Sequence, residues 1–400
     1  QLQILQIYNY YFRKESFKMK NEKYLGLPIY QKKKDGEFLM KKDIVDDFPK
    51  NFGLSEYDQE KVEYATTSGT TSNRMEIIRK KGWWAEEYQR TYNNNKLLKN
   101  FWDNKLKKVI FTTAQCSNLM CFMDKLPMEK RIINNTLYVN STFNPWTWTK
   151  EDIIQITEEI NQYQPYYMDA DPVYLAIFLF LHKKYEIKEP IYIPQVITLS
   201  YEYVNKNIRK YIEDNYDTTI LNLYGTTEFG YAFLEGEDGK MKACLDLLDV
   251  RLEPVNTEQD LYALVINSFK NEYMPLINYR VGDMVVATKE EVKNFNKEGQ
   301  ATRMAGREKD YEKIKIPVTI VDDIFSIFDN ILIYQLQYIS NDNMIIKYET
   351  INGQELSNME EQMLKDKIEK LKIGKVQIKH VQAISPERSG KFAIIKFWEE

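Results

Sequence analysis

Histidine is almost missing from this sequence: His182 and His380 are the only two in 400 residues. Serine-histidine-aspartate relays and histidine-built metal centres need imidazoles gathered in one site, so supply nearly excludes both. Cysteine is almost as scarce, with Cys116, Cys121 and Cys244. Three thiols do not suit a disulfide framework, and the spacing of the first two is not that of a zinc knuckle. So few cysteines suggest a reducing compartment, and a cytoplasmic location is expected. A thiol enzyme built on Cys116 or Cys121 would lack a histidine base nearby in sequence.

Strong charge of one sign is missing too. A net charge of −4 gives no electrostatic case for nucleic acid or an anionic membrane as the main partner. Basic runs such as Lys32 to Lys34 are short and read as solvated faces. No apolar stretch is long enough for a bilayer: Pro172 to Lys184, the most apolar helical candidate, is too short, so no membrane span is expected. Gln1 to Tyr11 is too short and too polar for a secretory signal. The chain opens on Gln rather than Met, so an authentic start upstream is expected. Internal repeats, low-complexity tracts and the G-x-x-x-x-G-K-[ST] phosphate motif are all absent.

What is present is ordinary for a globular enzyme: 43% hydrophobic and 28% charged residues. Four hundred residues exceed one core, so a large domain with a smaller one attached is expected. The 29 tyrosines are many, and with plentiful Lys, Asn and Ile they read as nucleotide bias in the source genome.

Periodicity predicts strand-helix alternation through the middle of the chain. Strands are expected at Lys108 to Thr113, Leu137 to Val139, Gln195 to Leu199 and Thr219 to Tyr224. Helices are expected at Thr149 to Tyr163, Pro172 to Lys184 and Tyr203 to Tyr216, with one continuing through Leu106 before the first of these strands. Thr149 can cap its helix with Asp152 at the third position. Leu261 to Ser268 and Asp283 to Ala287 read as strands of a more antiparallel part, and Lys289 to Gly299 as a charged surface excursion. Beyond Gly306 the pattern changes: strands at Ile331 to Ile339, Met344 to Thr350, Val376 to Val381 and Phe392 to Trp398 surround a helix from Ser357 to Leu371, with Ser357 and Glu360 in capping-box spacing. The fold class expected is α/β with mixed sheets, followed by a small α+β domain.

Five stretches carry chemistry. Tyr64 to Ser72 spells YATTSGTTS, and its hydroxyls and backbone N–H groups fit either a plain polar turn or a loop wrapped around an anion. LYGTTEFG begins at Leu223, NYRVGDMV at Asn278 and AGREKD at Ala305, while SPERSGKFAIIKF lies near the C terminus. In this order they resemble the core motifs of the adenylate-forming ligases, the superfamily of acyl-CoA synthetases and adenylation domains. The nearest look is the phenylacetate-CoA ligase branch.

The resemblance implies an adenylation domain over 1–305 and a mobile lid over 306–400. It places Ser68, Gly69, Thr70 and Thr71 on the β- and γ-phosphates of ATP, Tyr224 on adenine, Thr227 on the α-phosphate, Glu228 on Mg²⁺, and Asp283 and Arg307 on the ribose. Lys309 takes the hinge position, and Lys391 bridges carboxylate and α-phosphate as the adenylate forms. Ser200-Tyr201-Glu202 falls where the family has a segment bordering adenine, and Val109 to Met123 where it has one wall of the acyl pocket. Arg280 and Tyr279 read as surface pairing and core packing. The implied reaction activates a small carboxylic acid, aromatic or medium-chain, as acyl-AMP with release of pyrophosphate. A thiol then takes the acyl group, from coenzyme A or from the phosphopantetheine arm of an acyl or peptidyl carrier protein. Two stretches depart from the family: Ser72-Asn73-Arg74 replaces Gly and Pro-Lys after the loop, and KIKIPVTIV from Lys313 replaces a Gly-containing stretch. The competing reading is a ligand-binding or scaffolding protein that kept the fold and lost turnover.

Overall fold

The computed structural model describes residues 22–34, 36–54, 57, 59–67, 74–113, 126–139, 142–246, 248–340 and 343–397. They fall into two compact units, each discontinuous in sequence. The first draws on Gln1–Lys99 and Leu223–Glu308, the second on Asn100–Asn222 and Lys309–Glu400.

The first unit is antiparallel. Four strands run in the order Leu248–Asn256, Leu261–Ser268, Leu276–Val286, Arg303–Arg307. Leu261–Ser268 is buried on both faces, which is why it reads as an unbroken apolar run. The strand expected at Asp283 to Ala287 begins earlier, at Leu276. Asn278 has a φ of 54° and the pairing register shifts along the strand, so the two-residue alternation that marks a strand is broken in its first half. Residues 223–226 of the strand Thr219–Thr226 pair antiparallel with Gly230–Glu235, which continues to Met241–Ala243 and Gln300–Ala301.

Lys289–Glu298 is a helix, where the charge had suggested a surface excursion. Thr288 caps it in a reciprocal box with Glu291, Phe295 is its buried anchor, and Gly299 ends it at a φ of 62°. Inside the unit, the helix Trp83–Tyr92 buries Glu87 against Lys270 at 2.6 Å, with 0% and 1% of the two side chains exposed. Both ends of the pair are tied to one residue: Tyr231 N–H donates to Glu87 at 2.8 Å and Lys270 donates to the Tyr231 carbonyl at 2.6 Å.

The second unit holds the α/β layering. Residues 219–222, then Val196–Leu199, Tyr167–Ala170, Lys108–Phe111 and Thr136–Tyr138 pair parallel, with Ile132–Ile133 antiparallel at the edge. The helix Lys150–Tyr163 starts at the Thr149–Asp152 box. Pro172–Lys184 is buried from Pro172 through His182, as its all-round apolar character requires. Lys206–Glu213 is shorter than expected because the Asn205 side chain accepts from Ile208 N–H and starts the helix there. The helix before the first strand ends at Asp103, short of Leu106, and Lys105 follows with a φ of 50°.

The C-terminal stretch of this unit builds its own sheet in the order Lys375–His380, Asn343–Thr350, Ile331–Ser340, Ile395–Phe397, so the expected last strand is limited to three residues. The helices Val318–Phe325 and Asn358–Glu369 share a core with it that includes Phe325, Leu336, Ile346 and Leu364. That α+β region is packed onto 100–222: Leu332, Ile333, Ile384 and Phe392 enter the core of the parallel sheet, and Asn207 donates to the carbonyls of Phe328 and Ile331 at 3.0 and 2.8 Å. Among the described residues no helix is long and apolar enough to cross a membrane.

Candidate active site

The strand Thr219–Thr226 turns at 227–229 and returns as Gly230–Glu235. Close approach at this turn demands glycine, since a Cβ at Gly225 would lie 2.6 Å from the Gly230 carbonyl oxygen. Just before the turn, the Tyr224 phenol donates to Asp283 Oδ2 at 2.8 Å. Asp283 stands opposite Arg307 in the antiparallel pair, with Arg307 Nε 3.9 Å from Oδ1. One carboxylate oxygen is thus held by a phenol and the other faces a half-exposed guanidinium.

A second phenol orients Glu228. Tyr279 is fully buried and its hydroxyl donates to Glu228 Oε1 at 3.3 Å. Burial first, then the neighbouring carboxylates of Asp283 and Glu228, push the Tyr224 phenol well above its ordinary range. Burial and Glu228 do the same for Tyr279. Both rings therefore stay protonated and act as donors. Glu228 is buried with Tyr279 as its hydrogen-bond partner, and the buried Thr226 Oγ1 has no hydrogen-bond partner among the described residues. Buried polar groups without partners are uncommon in folded proteins, so the Thr226 hydroxyl suits a ligand. Thr227 sits in the turn, partly exposed. Arg280, read from the sequence as a surface pairing residue, pairs through Nε with both oxygens of Glu308 at 3.1 and 3.0 Å.

The second unit carries a separate cluster around Lys391. Its Nζ donates to the Tyr201 carbonyl at 2.6 Å, and Phe392 N–H donates to Glu202 Oε2 at 2.6 Å. Tyr201 presents that carbonyl from a left-handed conformation, φ 79°, which a tyrosine rarely adopts. Gly390, at φ 81°, abuts Thr113 so closely that any Cβ would collide with its hydroxyl. The Gly390 carbonyl accepts from Tyr174 OH at 3.0 Å.

No protein-family model and no curated protein matches the sequence. Solved structures do. 2-Hydroxyisobutyryl-CoA ligase in its postadenylation state, in complex with 2-HIB-AMP, aligns with a TM-score of 0.63 at 10% identity, covering 91% of this chain and 80% of that one. The chain has the fold of the adenylate-forming CoA ligases. A benzoate-CoA ligase from Burkholderia xenovorans LB400 aligns with that fold at a TM-score of 0.56 and 13% identity, over 84% of this chain and 68% of its own. The anthranilate-CoA ligase AuaEII, in complex with anthranoyl-AMP, aligns at 0.55 and 11%, over 83% and 65%.

Of the residues picked from sequence, the ligase fold gathers Tyr224, Glu228, Asp283 and Arg307 in the first unit. In the second, Lys391 rests on the Tyr201 carbonyl and its neighbour Phe392 on Glu202. Ser68, Gly69, Thr70 and Thr71 lie outside the described residues, as does 114–123 of the expected acyl wall. Val109 and Phe111 are buried in their strand. Lys309 is the second residue of the helix Glu308–Ile314, and the division between the two units falls immediately before it. Sequence reasoning missed two groups. Tyr279 read as core packing alone, because nothing in its spacing shows that its hydroxyl meets Glu228. Asp171 was legible only as a residue preceding Pro172 at a helix start.

Proposed function

We propose that the protein is an adenylate-forming acid-thiol ligase. The carrying observation is the set Tyr224, Asp283 and Arg307 beside Glu228, on the CoA-ligase fold. An oxygen of the acid attacks the α-phosphorus of ATP and the bond to pyrophosphate breaks, giving acyl-AMP. A thiol sulfur then attacks the acyl carbonyl and AMP leaves. Catalysis consists of orientation and charge stabilisation, without a covalent enzyme intermediate. Asp283, with one oxygen already fixed by Tyr224, accepts from the ribose hydroxyls while Arg307 donates to the ribose. Tyr224 offers a ring face to adenine. Thr227 donates to the α-phosphate, and Ser68, Gly69, Thr70 and Thr71 hold the outer phosphates. Lys391 meets the charge that builds at the α-phosphorus.

Magnesium fits Glu228. The ion is commonly held by one or two carboxylates plus substrate phosphates rather than by a protein cage, and among the described residues no cluster of three ligating side chains occurs. When bound, it would neutralise phosphate charge.

The acid is proposed to be aromatic or medium-chain, on the apolar and small-residue composition of FTTAQCSNLMCF. Coenzyme A and a carrier-bound phosphopantetheine arm offer the same thiol, and the phenylacetate-CoA ligase branch is the proposed placement within the superfamily. A cytoplasmic location accords with the few cysteines, of which Cys244 is buried and free. The test is acid-dependent exchange between ATP and pyrophosphate over a panel of carboxylic acids. Exchange with one acid class supports the reading; none over the whole panel favours a ligand-binding protein on the same fold.

A further inference from the structure

The loop that carries Lys391 is held on two buried carboxyls. Asp171 ends the strand Tyr167–Ala170 and caps the helix Pro172–Lys184, its Oδ1 accepting from Val173 and Tyr174 N–H at 3.0 and 3.2 Å. Glu202 follows the strand Val196–Leu199, and its Oε2 accepts from Phe392 N–H. The two remaining oxygens, Asp171 Oδ2 and Glu202 Oε1, are buried and meet no N–H or protein hydroxyl donor among the described residues. The two carboxyls follow neighbouring parallel strands whose ends, Ala170 and Leu199, are paired, and each acts on the other's titration. Two carboxylates buried side by side without a donor between them do not both ionise, so the pair holds one proton. The charged group facing them is Lys391, from the C-terminal loop, and the neutral Tyr174 faces the same loop from its helix. One proton leaves one negative charge on the pair, which the lysine ammonium balances.

We propose that Asp171 and Glu202 are positioning residues for Lys391: sharing one proton, they dock the Gly390–Phe392 segment and so present the lysine, and loss of that proton releases it. The inference rests on the adenylation role given to Lys391. Burial pushes the Asp171 carboxyl up to about 6, and burial together with the Asp171 charge pushes Glu202 well above the carboxylate range. The docked state therefore keeps a proton that freely solvated carboxyls would lose. The singly protonated, docked pair is lost as pH rises through the raised titration of Glu202.

The test uses Asp171→Asn in the full chain. The amide oxygen still caps the helix, while the amide nitrogen donates to Glu202 at every pH, replacing the mobile proton by a fixed donor. Two quantities are followed from about pH 6 to about pH 9: the protection factor of the Phe392 amide by hydrogen exchange, and the acid-dependent pyrophosphate exchange rate. In the parent both are expected to fall roughly tenfold or more toward high pH; in Asp171→Asn both profiles flatten. Glu202→Ala is expected to lose Phe392 protection and pyrophosphate exchange at all pH while keeping transfer from supplied acyl-AMP to the thiol. Identical pH profiles of Phe392 protection in parent and Asp171→Asn would overturn the proposal. Protection that behaves as expected, with Lys391→Ala exchanging pyrophosphate at the parent rate, would leave the docking pair standing and remove the adenylation role of the lysine.

Discussion

The Tyr224 hydroxyl and the Asp283 carboxylate are joined by one hydrogen bond of 2.8 Å, made to Oδ2 only. The phenol is held protonated by burial and by that carboxylate, so it is a permanent donor. It fixes the plane of Asp283 and leaves Oδ1 toward Arg307. A hydrogen bond to a charged group contributes about 1.5–3 kcal/mol. Tyr224→Phe, which keeps the ring, is therefore expected to raise KM for ATP by roughly tenfold to a hundredfold, with kcat close to the parent value. Steady-state kinetics at saturating acid checks this, and an unchanged KM would show that the phenol does not orient the carboxylate.

Glu228→Gln keeps an oxygen to accept from Tyr279 but removes the charge. Adenylation is expected to fall by roughly a hundredfold or more and to require higher Mg²⁺, with an unchanged thermal melt. Pyrophosphate exchange titrated with Mg²⁺ measures it. A parent rate with the parent Mg²⁺ dependence would remove Glu228 from the metal role.

Much of the scaffold was legible because its signals are local. Thr149 with Asp152 and Ser357 with Glu360 announce helix starts within four residues, and Pro172 to Lys184 is apolar on every side. The helix Lys289–Glu298 was not, because its anchor is a single Phe295 amid charge. The site divides in the same way. Tyr224 and Glu228 sit in one short motif, while the bonds from Tyr224 to Asp283 and from Tyr279 to Glu228 span 59 and 51 residues. Pairings of that separation are set by register shifts and strand order, which no local pattern encodes.

Glu87 and Lys270 form a fully buried pair in the first unit, and removing one partner leaves an uncompensated charge. Glu87→Ala is expected to destabilise the fold by about 3–5 kcal/mol. Denaturant melts should show a lower midpoint with little change in slope. A loss under about 1 kcal/mol would mean that Lys270 finds water or deprotonates at little cost.

Lys309 occupies the first turn of the helix Glu308–Ile314, where proline's φ is acceptable and the missing N–H has no partner within the helix. Lys309→Pro is expected to retain acyl-AMP formation and to lose most thioester formation, because a fixed φ removes the freedom that a hinge needs between two steps. The two half-reactions are measured separately. Transfer from supplied acyl-AMP at the parent rate would place the hinge elsewhere, or nowhere.

The central claim is that the acid is activated on the α-phosphorus of ATP, and heavy-oxygen transfer tests it most directly. The acid that supports pyrophosphate exchange is supplied with both carboxylate oxygens labelled, together with ATP, Mg²⁺ and coenzyme A, and the products are weighed by mass spectrometry. Attack on the α-phosphorus followed by thiol transfer leaves one labelled oxygen in AMP and none in pyrophosphate. Label in inorganic phosphate with release of ADP, or thioester formed with unlabelled AMP, would contradict it.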